Sequence, residues 1–145
     1  MPETPSYLWV VCQAGAERAL KGEFAVEWPE FRLSYSRPGF VTFKLPHTCS
    51  LDESVDLRST FARAYAFSLG RVLGDQAEAM ADDLWGILGS RPFAHLHVWQ
   101  RDTDLPGHRG FEPGLTPLVT EIAETIVRKR PGGAETAEKL AVNHL

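Results

Sequence analysis

The chain is 145 residues long, 43% hydrophobic and 23% charged, the composition of an ordinary globular protein, which excludes a disordered or collagen-like chain. No apolar run approaches the roughly 20 residues that span a bilayer. The start MPETPSYLWVVCQ lacks the basic segment of a secretory signal, so a cytoplasmic protein is expected. A net charge of −4 and a pI near 5.7 argue against strong autonomous binding of nucleic acid.

The length permits one domain or two small ones. Two cysteines, Cys12 and Cys49, are too few for a disulfide framework and suit a reducing compartment. Charge is unevenly spread. Between Trp28 and Gly74 there are six Lys/Arg against four Asp/Glu, and Arg128, Lys129 and Arg130 form a run, so local basic patches remain open.

Tyr7 to Cys12 reads YLWVVC, a continuous apolar run that suits a strand covered on both faces. From Ala16 the period changes: Ala16, Leu20, Phe24 and Trp28 recur every four residues among charged ones, which predicts an amphipathic helix stopped by Pro29. Phe31, Leu33 and Tyr35, and then Val41, Phe43 and Leu45, alternate with polar residues and predict two half-buried strands. Arg37-Pro38-Gly39-Phe40 between them is a turn, with Pro presetting φ and Gly tolerating a positive φ, so an antiparallel hairpin is expected.

Leu51 to Phe61 has Leu51, Val55, Leu57 and Phe61 at spacings compatible with a short, poorly capped helix, and Tyr65 to Arg71 alternates as a strand. The order to Gly74 is βαββαβ, the split βαβ or ferredoxin-like arrangement. A helix follows with Asp75 as N-cap, Glu78 three residues on, an inner face of Ala77, Ala81, Leu84 and Leu88, and Gly89 at its C-terminus. Pro92 to Gln100 reads as a strand and Asp102 to Gly114 as an exposed loop. Thr116 then caps a helix with Pro117 at its first position, Leu118, Ile122 and Ile126 inward, and Pro131-Gly132-Gly133 as the stop. The expected fold is α+β: a ferredoxin-like βαββαβ module over residues 1–74 and a partial αβα unit over 75–145. One strand cannot bury two helices, so further strands must come from the first module or from residues beyond Leu145.

No complete catalytic constellation is present. Gly70, Gly74, Gly86 and Gly89 lack the spacing of a nucleotide-binding turn. Ser68 and Ser90 are not on a strained nucleophile turn, and Cys12 sits in an apolar run. His95 and His97 share one face of the expected strand, but no third metal ligand is signalled; His47 and Cys49 lie in a loop without a partner motif. Basic residues that could hold RNA phosphates or stack on unpaired bases are Arg37, Lys44, Arg71, Arg101, Arg109, Arg128 and Arg130. For each one singly, a solvated charge is the ordinary alternative, and Arg128 to Arg130 end a helix where the dipole favours positive charge.

Val10-Val11-Cys12-Gln13-Ala14-Gly15-Ala16-Glu17, the helix after it and Arg37-Pro38-Gly39-Phe40-Val41-Thr42-Phe43 resemble the N-terminal part of bacterial ribose 2′-O-methyltransferases of large-subunit ribosomal RNA, the RlmM type. Phe61-Ala62-Arg63-Ala64-Tyr65-Ala66-Phe67-Ser68-Leu69-Gly70 is similar to the end of that family's ferredoxin-like module, and the likeness runs in order over about residues 7–130. Ala14 stands where that family commonly has Pro, and Ala16 where it has an aromatic. The resemblance implies that Asp75 onward is the first half of a THUMP domain, an RNA-binding α/β unit, with the missing strands downstream. It also implies that S-adenosylmethionine and the catalytic residues belong to a methyltransferase domain outside these residues. The function the resemblance implies is docking of structured RNA, ribosomal RNA as in that family, for that catalytic domain, with no cofactor held by this chain. Two other readings stand beside it: a ferredoxin-like protein-interaction or small-ligand module, and a small metalloenzyme using His95 and His97.

Overall fold

The computed structural model describes residues 5–49, 51–52, 54–100 and 116–132, and the backbone of Ala141–Val142. The chain divides into two compact units, Met1–Leu69 and Gly70–Leu145; the sequence pattern had put the division at Gly74/Asp75.

In the first unit, β1 (Tyr7–Cys12) runs into α1 (Glu17–Glu27), followed by the hairpin strands β2 (Arg32–Arg37) and β3 (Phe40–Lys44) and by β4 (Ala62–Phe67). The strands form one sheet in the order β2-β3-β1-β4, with every neighbouring pair antiparallel. Period-two alternation gives the sheet two unlike faces. Leu8, Val10, Cys12, Val41 and Phe43 are buried on one of them, where α1 contributes Leu20 and Phe24. Phe24 stacks on Phe43 at 4.5 Å between ring centroids. Trp28 backs Phe31 at 5.1 Å, and its N–H donates to the Phe24 carbonyl to end the helix before Pro29.

The stretch between β3 and β4 departs from expectation. Among its described residues there is no helix. Asp52 accepts from the Ser54 N–H at 2.8 Å and Asp56 from the Arg58 N–H at 3.0 Å, local bonds that compete with helical ones. Arg58 takes φ +48°. The segment still covers the core: Leu57 is buried, and Val55 packs beside it. Tyr65 fastens it, accepting from the Leu57 N–H and donating to the Val55 carbonyl. Strand β4 also ends earlier than the alternation to Arg71 suggested, because its partner β1 begins at Tyr7, whose carbonyl takes the Ser68 N–H.

The second unit holds α2 (Ala77–Leu88), β5 (His95–Leu96), α3 (Pro117–Arg128) and β6 (Ala141–Val142). The two short strands pair in parallel, so the strand near His95 finds its partner within this chain's own C-terminal residues. The helices meet through Ala81, Trp85 and Ile126, and the Trp85 indole N–H donates to the Ile126 carbonyl at 2.9 Å. Thr116 caps α3 as expected, accepting from the Val119 N–H, and Gly89 closes α2 at φ +60°. Three expectations are corrected. Gln76, not Asp75, is the N-cap residue of α2, and Glu78 turns instead to Arg128 and Lys129. Of the expected inner stripe of α3, Ile126 is buried and Ile122 packs against the same cluster, but Leu118 is 51% exposed and Val119, Ala123 and Thr125 are buried instead. Trp85, absent from the expected inner face of α2, is central to it.

Candidate nucleic-acid interface

The face of the sheet opposite α1 is built from residues that alternate with the core. Strand register sets them in rows: Tyr7 beside Lys44 beside Arg32; Ala66, Trp9, Thr42 and Tyr35; Ala64, Val11, Phe40 and Arg37. Trp9 and Phe40, diagonal neighbours on the two central strands, stack at 6.0 Å with planes 20° apart. The first strand is thus buried on one face only. Its other face carries half-buried Trp9 and Val11 and exposed Tyr7.

Charge on these strands has one sign. Arg32, Arg37, Lys44 and Arg63 are their charged residues, with no carboxylate among them. Among the described residues, the acids of the same unit lie on α1 (Glu17, Glu23, Glu27), in the turn after it (Glu30) and in the loop before β4 (Asp52, Asp56). Two of them hold the framework. Glu17 accepts from the Gly15 N–H at 2.9 Å and from the Gly39 N–H at 2.6 Å, tying the hairpin turn to the start of α1. Partial burial pushes its carboxyl up, but these backbone donors outweigh that and hold it below the ordinary glutamate range. Glu23 receives the Ser59 hydroxyl and the Thr60 N–H at the entry to β4, and these bonds likewise overcome desolvation and depress its pKa.

The hairpin turn is fitted closely. Gly39 has φ +77°, its carbonyl accepts from the Cys12 N–H at 3.0 Å, and a Cβ at Gly39 would lie 3.3 Å from the Cys12 carbonyl oxygen. The sheet face therefore keeps a fixed end, with Arg37 on the last residue of β2.

Comparison with family models, curated proteins and solved structures finds no match.

Of the seven basic residues expected to touch RNA, Arg37 and Lys44 share this face, at opposite ends of the hairpin and both exposed. Arg71 is exposed in the second unit. Arg128, at the end of α3, is ion-paired with Glu78 of α2, while Lys129 bridges Glu78 at 3.1 Å and Asp82 at 2.9 Å. Arg130 is half-buried, its N–H bonded to the Val127 carbonyl. Arg101 and Arg109 lie outside the described residues. Reading charge alone missed the aromatics Tyr7, Trp9, Tyr35 and Phe40; the signal was the alternation within YLWVVC, which puts Tyr and Trp opposite Leu and Val once the run is a strand.

Other chemistry finds little support. No group of three His, Cys, Asp or Glu able to hold a metal is present among the described residues. Of His95 and His97, only His95 belongs to β5. Cys12 is a buried thiol pushed up by desolvation, a poor nucleophile.

Proposed function

We propose that the chain is the RNA-docking part of an S-adenosylmethionine-dependent ribosomal RNA methyltransferase, a ferredoxin-like module followed by a partial THUMP-like αβα unit. The catalytic domain, with its cofactor, lies outside these residues. The strand order β2-β3-β1-β4 with wholly antiparallel pairing supports the ferredoxin-like reading, since that is the order two interleaved βαβ units produce. The extended cover in place of the second helix is the departure from it.

The observation that carries the docking reading is the segregation of charge. In a chain of net charge −4, the four strands of the first unit bear only positive side chains. Lys and Arg on a rigid sheet can hold phosphates in register and position an RNA for chemistry performed elsewhere. No helix among the described residues is long and apolar enough to cross a membrane, and the two unpaired thiols suit the cytoplasm, where such an RNA is met.

A salt titration tests the proposal. RNA binding by the chain, weak and detectable at low salt, should fall linearly on a log–log plot with a slope of about −0.7 to −0.9 per phosphate contacted. The double substitution Arg37→Glu with Lys44→Glu should abolish it. Absence of binding at low salt, or binding indifferent to salt and to the double substitution, overturns the proposal.

A further inference from the structure

We infer that the sheet face opposite α1 is a stacking platform for unpaired RNA bases; the inference rests on the RNA-docking reading and names the form of RNA taken. Three features of the face converge. Its two central strands carry Trp9 and Phe40, with Tyr35 in the row of Trp9 and Tyr7 in the next row. Every base has a π-face, so aromatic rings set on rigid strands bind successive unpaired bases with little regard for sequence.

Second, the rings lie within a cationic frame. Arg37 shares a row with Phe40, and Lys44 shares one with Tyr7, so positive charge stands at both ends of the aromatic stretch. Successive residues on one strand face are about 6.7 Å apart, close to the phosphate spacing of an extended single strand. A chain of phosphates can therefore run past Arg37 and Lys44 while its bases turn onto the rings.

Third, the same geometry disfavours other occupants. A duplex keeps its base faces stacked inside and offers a flat sheet only phosphates and 2′-hydroxyls, leaving the aromatics without a role. An apolar protein partner would not call for strands bearing four positive charges and no negative one. Single-stranded RNA uses both the rings and the charges.

The platform is also held still. Phe24 stacked on Phe43 fixes the strands from behind, and Glu17 with the Gly15 and Gly39 N–H groups fixes the hairpin end. Rings that are already placed lose little freedom when a base arrives, which favours binding.

The test compares a short fluorescein-labelled oligouridylate with a duplex RNA of equal length, both titrated into the full chain at low salt by anisotropy. The single strand should bind about tenfold more tightly than the duplex. Trp9→Ala and, separately, the edge-strand change Tyr35→Ala should each weaken single-strand binding about tenfold while leaving the salt slope intact, because no charge is removed. Trp9→Phe, which keeps a ring, should restore most of it, and circular dichroism of each variant separates loss of binding from loss of fold.

Equal affinity for single strand and duplex, with Trp9→Ala and Tyr35→Ala both neutral, overturns the platform and leaves RNA docking standing. Failure to bind either RNA overturns both. Self-association abolished by Tyr35→Ala, in a chain whose single-strand affinity that substitution does not alter, would make the face a protein contact and also overturn it.

Discussion

The two units reach stability by different routes. The first, among its described residues, packs a four-stranded sheet on ten buried apolar residues, from Leu8 to Leu57, together with a single helix and an extended segment. Among the described residues, the second clusters Ala81, Trp85 and Ile126 between two helices and also buries Val119 and Ala123 on α3, beside strands of two residues each. A sheet with a wide buried face leaves its opposite face available for function without loss of core. In the second unit the cations at the end of α3, Arg128 and Lys129, are tied to Glu78 and Asp82.

The sharpest way to break this contrast is to empty each core in turn. Phe24 is 1% exposed and stacked on Phe43, so Phe24→Ala should cost about 3–5 kcal/mol, a large share of the stability of a unit this small. Hydrogen exchange should show the amides of β1 and β3 losing protection while those of α2 and α3 keep theirs. Equal loss in both would mean that the cores are not separate. Trp85→Phe should act in the second unit instead, costing about 2 kcal/mol by shrinking the ring and leaving the Ile126 carbonyl without its indole donor. Its effect belongs in the exchange of α2 and α3, and no change there would show that the bond is inconsequential.

The turn that ties the first unit together is the next place to press. Gly39→Ala combines a strained φ of +77° with a Cβ 3.3 Å from the Cys12 carbonyl, and about 1–2 kcal/mol is expected, read as a fall in denaturation midpoint. Glu17→Gln should cost less at neutral pH, about 1 kcal/mol, because the amide oxygen still accepts but without charge. Its signature is in acid. The Glu17 pKa is lowered on folding, so the stability it contributes is complete above the unfolded value of about 4.3 and is lost as pH falls through the folded one. Glu17→Gln should therefore flatten that part of the acid limb. An unchanged acid limb would show that the carboxylate is not held as its donors suggest.

The contrast also explains what could be read from the sequence. The hairpin was legible because Pro38 and Gly39 dictate a turn locally, and so was the Thr116 cap, which needs only a hydroxyl before Pro117; the half-buried strand expected from Phe31, Leu33 and Tyr35 was not, since the register shifts between Leu33 and Tyr35 and both are exposed. The helix expected over Leu51–Phe61 is absent among the described residues, since Asp52 and Asp56 satisfy nearby N–H groups and Glu23, distant in sequence, holds Ser59 and Thr60. Half of the candidate site was visible as Arg37 and Lys44. The aromatic half required register, because YLWVVC shows which residues alternate but not which neighbours leave Tyr7 and Trp9 on the face away from α1. In the second unit, Arg128 looked available until the fold brought Glu78 to it from 50 residues away.

That last pairing supplies the smallest expected effect and the most discriminating one. Glu78, Asp82, Arg128 and Lys129 meet at the surface, and the neighbouring cations hold the Glu78 carboxyl below its ordinary range, chiefly through the Arg128 bond. Water and salt screen such groups, so Glu78→Gln should move the thermal midpoint little, and not at all in molar salt. Its value lies in the RNA measurement. If Arg128 were a principal contact, releasing it from Glu78 would strengthen binding clearly. If the sheet of the first unit holds the RNA, Glu78→Gln should leave affinity almost unchanged under conditions where Arg37→Glu lowers it severalfold, since that salt bridge lies in the second unit and not on the sheet.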